Sequence, residues 1–172
     1  MRKTWIYILL LILTSACYRT KPQSPSQRNG VQGGQEDTTL IAMMNATYLL
    51  CAEADRDVVA YIKQSEDTYA QLECGLWMRW QSRSGSGRMP EKDQTVNMHL
   101  AVRDLSNQLL MDSEQTLTVG HEFLPAALDK ALEMMEIGDS VVMVCPWYVA
   151  YGQQGNENVK PYQNVIMEVQ LR

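Results

Sequence analysis

The segment Val141–Leu171 constrains the fold more than any other part of this sequence. Val141–Cys145 is an apolar, β-branched run that stops at Pro146, which fixes φ and cannot donate a hydrogen bond to a sheet. Gly152–Pro161 is rich in Gly, Asn, Gln and Pro, which is typical of an exposed loop. Val165–Leu171 alternates apolar and polar residues, which indicates a strand with one buried face. The segment therefore predicts two strands joined by an exposed loop at the edge of the domain.

The residues before this segment predict further strands. Glu73–Gln81 and Thr95–Leu105 both alternate apolar with polar or small residues, as half-buried strands do. Two shorter runs, Leu109–Met111 and Leu117–Val119, are predicted to be separate strands because the polar residues from Asp112 onward interrupt them.

One amphipathic helix lies between these strands. Pro125 suits its first turn and Gly138 its C-terminal stop. Antiparallel strands on both sides of one such helix predict an α+β fold, a curved antiparallel sheet wrapped around the helix, over residues 73–172. The apolar stripe of this helix consists of Leu124, Leu128, Ala131, Leu132 and Met135.

The same residues carry a family resemblance. The order Tyr148-Val-Ala-Tyr151-Gly152, then Gly155, then Val159-Lys-Pro161 and the last strand resembles the C-terminal signature of FKBP-type peptidyl-prolyl isomerases. In that family an A-Y-G turn leads through a glycine-containing loop to I-P-P and a final strand. The resemblance extends over roughly residues 73–172 and implies the FKBP fold and prolyl isomerase activity.

The resemblance also implies a set of site residues. Tyr151 matches the family tyrosine that hydrogen-bonds the ligand backbone, and Asp112 matches the aspartate that follows a pocket aromatic. Four positions that are aromatic in the family are aliphatic here, so the resemblance implies an apolar pocket with a less rigid floor. The pocket positions are Leu100, Met111, Leu124, Leu128, Val159 and Met167, of which Leu100, Met111, Leu128 and Met167 replace aromatics.

Rotation of an X-Pro bond requires no nucleophile, metal or cofactor. The barrier is on the order of 18–20 kcal/mol, and an apolar hollow that excludes water and binds the twisted amide better than the planar one lowers it. The loss of the aromatics predicts a slow isomerase, or one fitted to an unusual proline context. The alternative is a catalytically weak or inactive module that binds proline-containing segments or a secretion or motility partner.

The N-terminus predicts export and membrane attachment. Residues 1–16 have a basic start and a short apolar run, as signal peptides do, and the small residues before Cys17 resemble a bacterial lipobox, with Thr14 where leucine is usual. Cys17 is therefore the candidate lipidation site, and residues 17–37, which are poor in apolar residues, are a predicted tether. This organisation resembles FKBP-type lipoproteins of Bacteroidetes. It implies a lipid-anchored protein of the bacterial cell envelope that helps exported proteins fold.

Residues 38–72 are predicted to form a helical extension, with one long helix or two short ones over residues 38–63. Apolar residues recur at helical spacing from Ile41 to Ile62, and Asp55 is the one misfit in that stripe. The stripe predicts that the helix packs on the following domain or pairs with another subunit.

Composition and residue spacing argue against several other functions. The formal net charge of −5 and the absence of a basic block argue against a nucleic-acid partner. No cluster has metal-ligand spacing, and His99 and His121 lie near no nucleophile, so neither a metal nor another cofactor is expected. Cys51, Cys74 and Cys145 permit at most one disulfide, and buried free thiols are the favoured interpretation.

Overall fold

The computed structural model describes residues 33–120 and 125–172. The chain divides into two units, residues 1–42 and 43–172. Helix α1 (Gly33–Gln64) begins in the first unit and continues in the second. Its start at Gly33 lies within the segment predicted as a tether. None of the described helices is long and apolar enough to span a membrane.

The second unit contains one antiparallel sheet of six strands in the order β1-β2-β5-β6-β3-β4. A short helix, α2 (Ala126–Leu132), precedes β5. This is an α+β fold, and it confirms the predicted fold class. The strands are β1 (Ala70–Gln71), β2 (Trp77–Ser82), β3 (Thr95–Asp104), β4 (Leu109–Thr118), β5 (Ser140–Cys145) and β6 (Val165–Leu171).

Strand β5 is buried on both faces. Its residues Val141, Met143 and Cys145 belong to the core that includes the buried face of α2. Val142 and Val144 point to the opposite face, where they form a second buried cluster with Val58 of α1 and Ile166 of β6. A strand covered on both faces has no wet side, which is why Val141–Cys145 reads as a continuous apolar run.

The C-terminal half of α1 therefore packs on the sheet, one of the two alternatives that the stripe predicted. Ala54 and Val58 are buried, and Tyr61 and Ile62 pack against the cluster around Val58. Residues 43–50 of the same helix are exposed throughout.

The structure differs from the predicted elements in three places. Leu109–Thr118 is one continuous strand and not two, because its polar residues alternate onto the open face of the sheet while it pairs with β3. Residues Glu73–Gly75 form a 3₁₀ turn with Cys74 at φ 54°, so β2 begins later than predicted. Helix α2 is shorter than its apolar stripe, because the N–H groups of Met134 and Met135 both bond to the carbonyl of Ala131 as the chain turns.

The loop between β2 and β3 is fixed by a buried carboxylate. Asp139 is 2% exposed, and its two oxygens accept hydrogen bonds from the backbone N–H groups of Ser84 (2.6 Å) and Glu136 (2.8 Å). Burial alone raises the pKa of Asp139, but these bonds, the Ser84 hydroxyl and the nearby Arg83 lower it, and the net pKa lies below the ordinary value.

We expect Asp139→Asn to lower the free energy of unfolding by about 2 kcal/mol near neutral pH, because an amide accepts only one of the two N–H groups. Since the folded pKa lies below the unfolded one, the wild-type advantage is present above the unfolded pKa of about 4 and is lost as the pH falls through the folded value. Denaturant unfolding at a series of pH values checks this, with the exposed Asp57→Asn as control. A difference that does not change with pH would contradict it.

Candidate functional site

The structure brings most of the predicted pocket residues together on the face of the sheet that packs against α2. Leu100 of β3, Leu128 of α2, Val159 of the last loop and Met167 of β6 belong to one buried cluster. Two half-buried side chains pack against this cluster, Met111 of β4 and Tyr151 of the turn after β5. We refer to these six residues as the apolar floor. Leu124 and His121 lie outside the described residues, as does Cys17.

Asp112 is not part of the apolar floor. It lies opposite Ala101 in the β3–β4 register, and its Oδ1 is 2.7 Å from Nε2 of His99. Its side chain is 54% exposed. Because successive side chains of a strand point to opposite faces, Met111 and Ser113 face the core while Asp112 faces away from it. Of the two residues that the resemblance assigned to catalysis, Tyr151 packs against the apolar cluster and Asp112 does not.

The floor is closed beneath its two half-buried members. Leu100, Leu128, Val159 and Met167 are each 2% exposed or less. Solvent reaches the cluster at Met111 and Tyr151, whose side chains are partly exposed. Flexible Leu and Met side chains can fill the space that rigid aromatic rings would otherwise outline. A prolyl ring would therefore enter by displacing side chains at this edge.

Tyr151 supplies the polar group of the site. It lies at the end of a turn that begins with the 3₁₀ segment Trp147–Val149, and the Gly152 N–H closes this turn on the Trp147 carbonyl at 2.8 Å. Burial, with a smaller effect of the Cys145 thiol, raises the pKa of Tyr151 to about 12. The hydroxyl therefore remains protonated near neutral pH, and it makes no hydrogen bond to any residue that the structure describes. Among the described residues it is therefore an unpaired donor beside an apolar surface.

The loop after Tyr151 is held by its own hydrogen bonds. Oδ1 of Asn156 accepts from the backbone N–H groups of Asn158 and Val159, both at 2.8 Å. The Asn156 N–H donates to the Val159 carbonyl at 2.8 Å, so the loop closes on itself and keeps Val159 in the core. Gly155, at φ +66°, passes so close to the Val159 carbonyl that a Cβ atom would overlap it. This glycine is required for the loop to hold Val159 in the floor.

The turn that carries Tyr151 is also attached to α1, which sequence reasoning missed. The Tyr148 hydroxyl donates a hydrogen bond to Oδ1 of Asp55. Oδ1 of Asn164 accepts the Trp147 N–H at 2.9 Å, and Nδ2 of Asn164 donates to the Ala54 carbonyl at 3.5 Å. A signal was available, because Asp55 is the one charged residue in the apolar stripe of α1. A carboxylate at such a position needs a partner.

Among the described residues no group of three His, Cys, Asp or Glu side chains could hold a metal ion. The site thus consists of an apolar floor, one protonated phenol and a closed loop. Such an arrangement can bind an apolar ring and donate one hydrogen bond to an adjoining carbonyl.

Comparison with known proteins assigns the chain to a family. Residues 86–172 match the sequence model of the FKBP-type peptidyl-prolyl cis-trans isomerases. The chain belongs to this family. The matched region begins in the loop after β2 and includes β3 to β6, so the apolar floor lies within an FKBP-type peptidyl-prolyl cis-trans isomerase domain.

Solved structures agree with this fold. The chain is similar to a peptidyl-prolyl cis-trans isomerase from Pseudomonas syringae pv. tomato str. DC3000, with 22% identity, a TM-score of 0.58, and coverage of 70% of this chain and 90% of that one. It is also similar to the N-terminal domain of FKBP42 from Arabidopsis thaliana, with 23% identity, a TM-score of 0.53, and coverage of 63% and 92%. No curated protein sequence is significantly similar to the chain.

Proposed function

We propose that this FKBP-type protein is a peptidyl-prolyl isomerase that helps exported proteins fold while it is held on a bacterial membrane by lipid. The observation that carries the isomerase activity is the convergence of Leu100, Leu128, Val159 and Met167 beneath Met111 and Tyr151, inside a domain of the isomerase family. Proline-containing segments are the ligands that such a domain binds.

The mechanism follows from the geometry and uses no covalent step. The prolyl ring occupies the edge of the apolar floor, where it loses contact with water. Water favours the planar, charge-separated amide, so its removal favours the twisted state in which resonance is lost. The protonated Tyr151 hydroxyl donates to a carbonyl next to the proline and holds the chain while the bond rotates.

The rate is expected to be modest for a member of this family. Four floor positions carry Leu or Met in place of aromatic residues, and a flexible floor must become ordered when the ligand binds. If the hydroxyl that Leu100 lacks contributes one hydrogen bond, its loss costs about 0.5–1.5 kcal/mol, or up to about tenfold in rate.

The test measures cis-to-trans rates of short X-Pro peptides with a range of X residues. We expect the wild type to accelerate the reaction and Tyr151→Phe to lower kcat/KM by about three- to tenfold, because one hydrogen bond is lost while the ring remains. Asp112→Ala is the control, since its carboxylate faces away from the floor, and it should match the wild type. A wild-type rate equal to that of buffer for every X would refute the isomerase proposal.

A second function is a binding module without turnover. The closed floor favours it, because four of its side chains are nearly inaccessible and must move before a proline can enter. Saturable binding of a proline-containing peptide, weakened by Tyr151→Phe and unaccompanied by any rate increase, would select this function over the first. Its partner would then be a proline-containing segment of a secretion or motility component.

Export and anchoring are supported by the sequence of residues 1–37, which has a signal-like start, small residues before Cys17 and a polar tether. We expect the chain expressed in a bacterium to incorporate radiolabelled palmitate and to fractionate with membranes, because several acyl chains anchor a protein firmly. Cys17→Ser should abolish both properties, whereas Cys51→Ser should change neither. Labelling that persists in Cys17→Ser would contradict the assignment.

We also propose that α1 pairs with the α1 of a second copy. The stripe that buries Val58 and Ile62 continues toward the N-terminus as Cys51, Tyr48 and Met44, where no described residue covers it. Residues 43–50 carry no charge, so two copies can pair without repulsion. On this stripe Met44 and Tyr48 are 63% and 73% exposed, so they offer an apolar surface to a second helix.

Sedimentation velocity of the full chain in density-matched detergent tests the pairing. We expect a dimer that Met44→Glu weakens at least about tenfold, because like charges then meet in the interface. The matched control is Met89→Glu, a methionine that is also exposed and lies in the loop after β2, and it should leave the dimer intact. A monomeric wild type, or a dimer unaffected by Met44→Glu, would refute the proposal even if the chain bound unfolded polypeptide or vesicles.

A further inference from the structure

The turn Trp147–Gly152 is hydrogen-bonded to a helix that lies outside the family domain. The family match covers residues 86–172, whereas Asp55 and Ala54 lie on α1, well before it. Asp55 accepts the Tyr148 hydroxyl, and Ala54 is connected through Asn164 to the N–H of Trp147. Helix α1 is therefore attached to the turn at two adjacent residues.

The Asp55–Tyr148 contact is embedded in packed surroundings. Its neighbours on α1, Ala54 and Val58, are 3% and 0% exposed. Burial, and then the hydrogen bond to Asp55, raise the pKa of Tyr148, so the phenol stays a donor. On the other side Gly75, at φ +70°, leaves just enough room, since a Cβ there would lie 2.5 Å from the Tyr148 hydroxyl oxygen and 2.7 Å from Oδ1 of Asp55. Three separate segments thus meet at one hydrogen bond.

The contact extends to both sides of the site. The Trp147 ring packs edge-on against Tyr148 (5.6 Å between centroids) and against Tyr162 (4.9 Å), at the far end of the last loop. The Tyr162 N–H donates to the Gly152 carbonyl at 3.2 Å. A shift of Tyr148 would therefore move the turn and the loop on either side of Tyr151.

We propose that Asp55 and Tyr148 are positioning residues that fix the Tyr151 hydroxyl relative to the apolar floor. Helix α1 then contributes to the site that binds proline-containing segments, through Asp55. This inference rests on the proposed function of Tyr151. The hydroxyl has no partner among the described residues, so within this part of the chain its ring packing and the course of the turn determine where it points. Displacement of a reacting or binding group by about 1 Å can cost up to about a hundredfold in rate.

The test compares kcat/KM and peptide affinity for Asp55→Ala, Asp55→Asn and Tyr148→Phe at a temperature where every variant is folded. We expect Asp55→Ala and Tyr148→Phe to lower kcat/KM by about three- to tenfold, no more than Tyr151→Phe does, and Asp55→Asn to restore most of it, because the amide oxygen still accepts the Tyr148 hydroxyl. Asp57→Ala is the control. Asp57 is an exposed carboxylate of the same helix, so this variant should match the wild type.

A double-mutant cycle separates positioning from general stabilisation. In the Tyr151→Phe background, Asp55→Ala should have little further effect, because the hydroxyl that it positions is absent. An equal loss in both backgrounds, or a lower Tm with unchanged kcat/KM, would refute the positioning role while leaving the isomerase proposal intact. If the wild type binds peptide without turnover, the isomerase proposal fails and the same cycle is measured on Kd. Absence of both turnover and binding would refute both proposals.

Discussion

Strand β5 must be covered on both of its faces, and the rest of the structure depends on this constraint. Fully burying one valine side chain contributes about 1.5–3 kcal/mol. The two faces of Val141–Cys145 therefore require two separate apolar partners, the core around α2 on one side and the stripe of α1 on the other. Helix α1 is thus required by the sheet and is not merely attached to it.

The same strand determines where the candidate site lies. Pro146 ends β5, because it cannot donate a hydrogen bond to the sheet, and it starts the turn that carries Tyr151. The point at which β5 ends therefore determines where Tyr151 lies relative to the other residues of the apolar floor. Contacts on either side of the turn then define its position: the loop closed by Asn156 and Gly155, and α1 through Asp55. At this turn the family domain is in contact with α1, which lies outside it.

The apolar floor shows a compromise between packing and binding. Replacement of rigid rings by Leu and Met leaves the interior filled, because these side chains adapt to the space available. Leu128 and Met167, for example, are almost completely buried. Because the described side chains of the floor fill their own space, each binding event must include the ordering of side chains at its edge. The protein retains the stability of its fold and gives up some preorganisation of its site.

Local patterns in the sequence were sufficient to predict several of the strands and helices. The period of two in Thr95–Leu105 and Val165–Leu171, the apolar run of Val141–Cys145 and the stripe around Leu128 each predict an element from neighbouring residues alone, because strand and helix geometry repeat over a few positions. It was the family resemblance that predicted which of these residues form an apolar pocket. The face to which Asp112 points depends on β4 continuing without a break, and only its pairing with β3 decided that. The contact of Asp55 with Tyr148, 93 residues away, likewise exists only in the tertiary structure, since no local rule connects a charge in a helix stripe to one phenol on a distant turn.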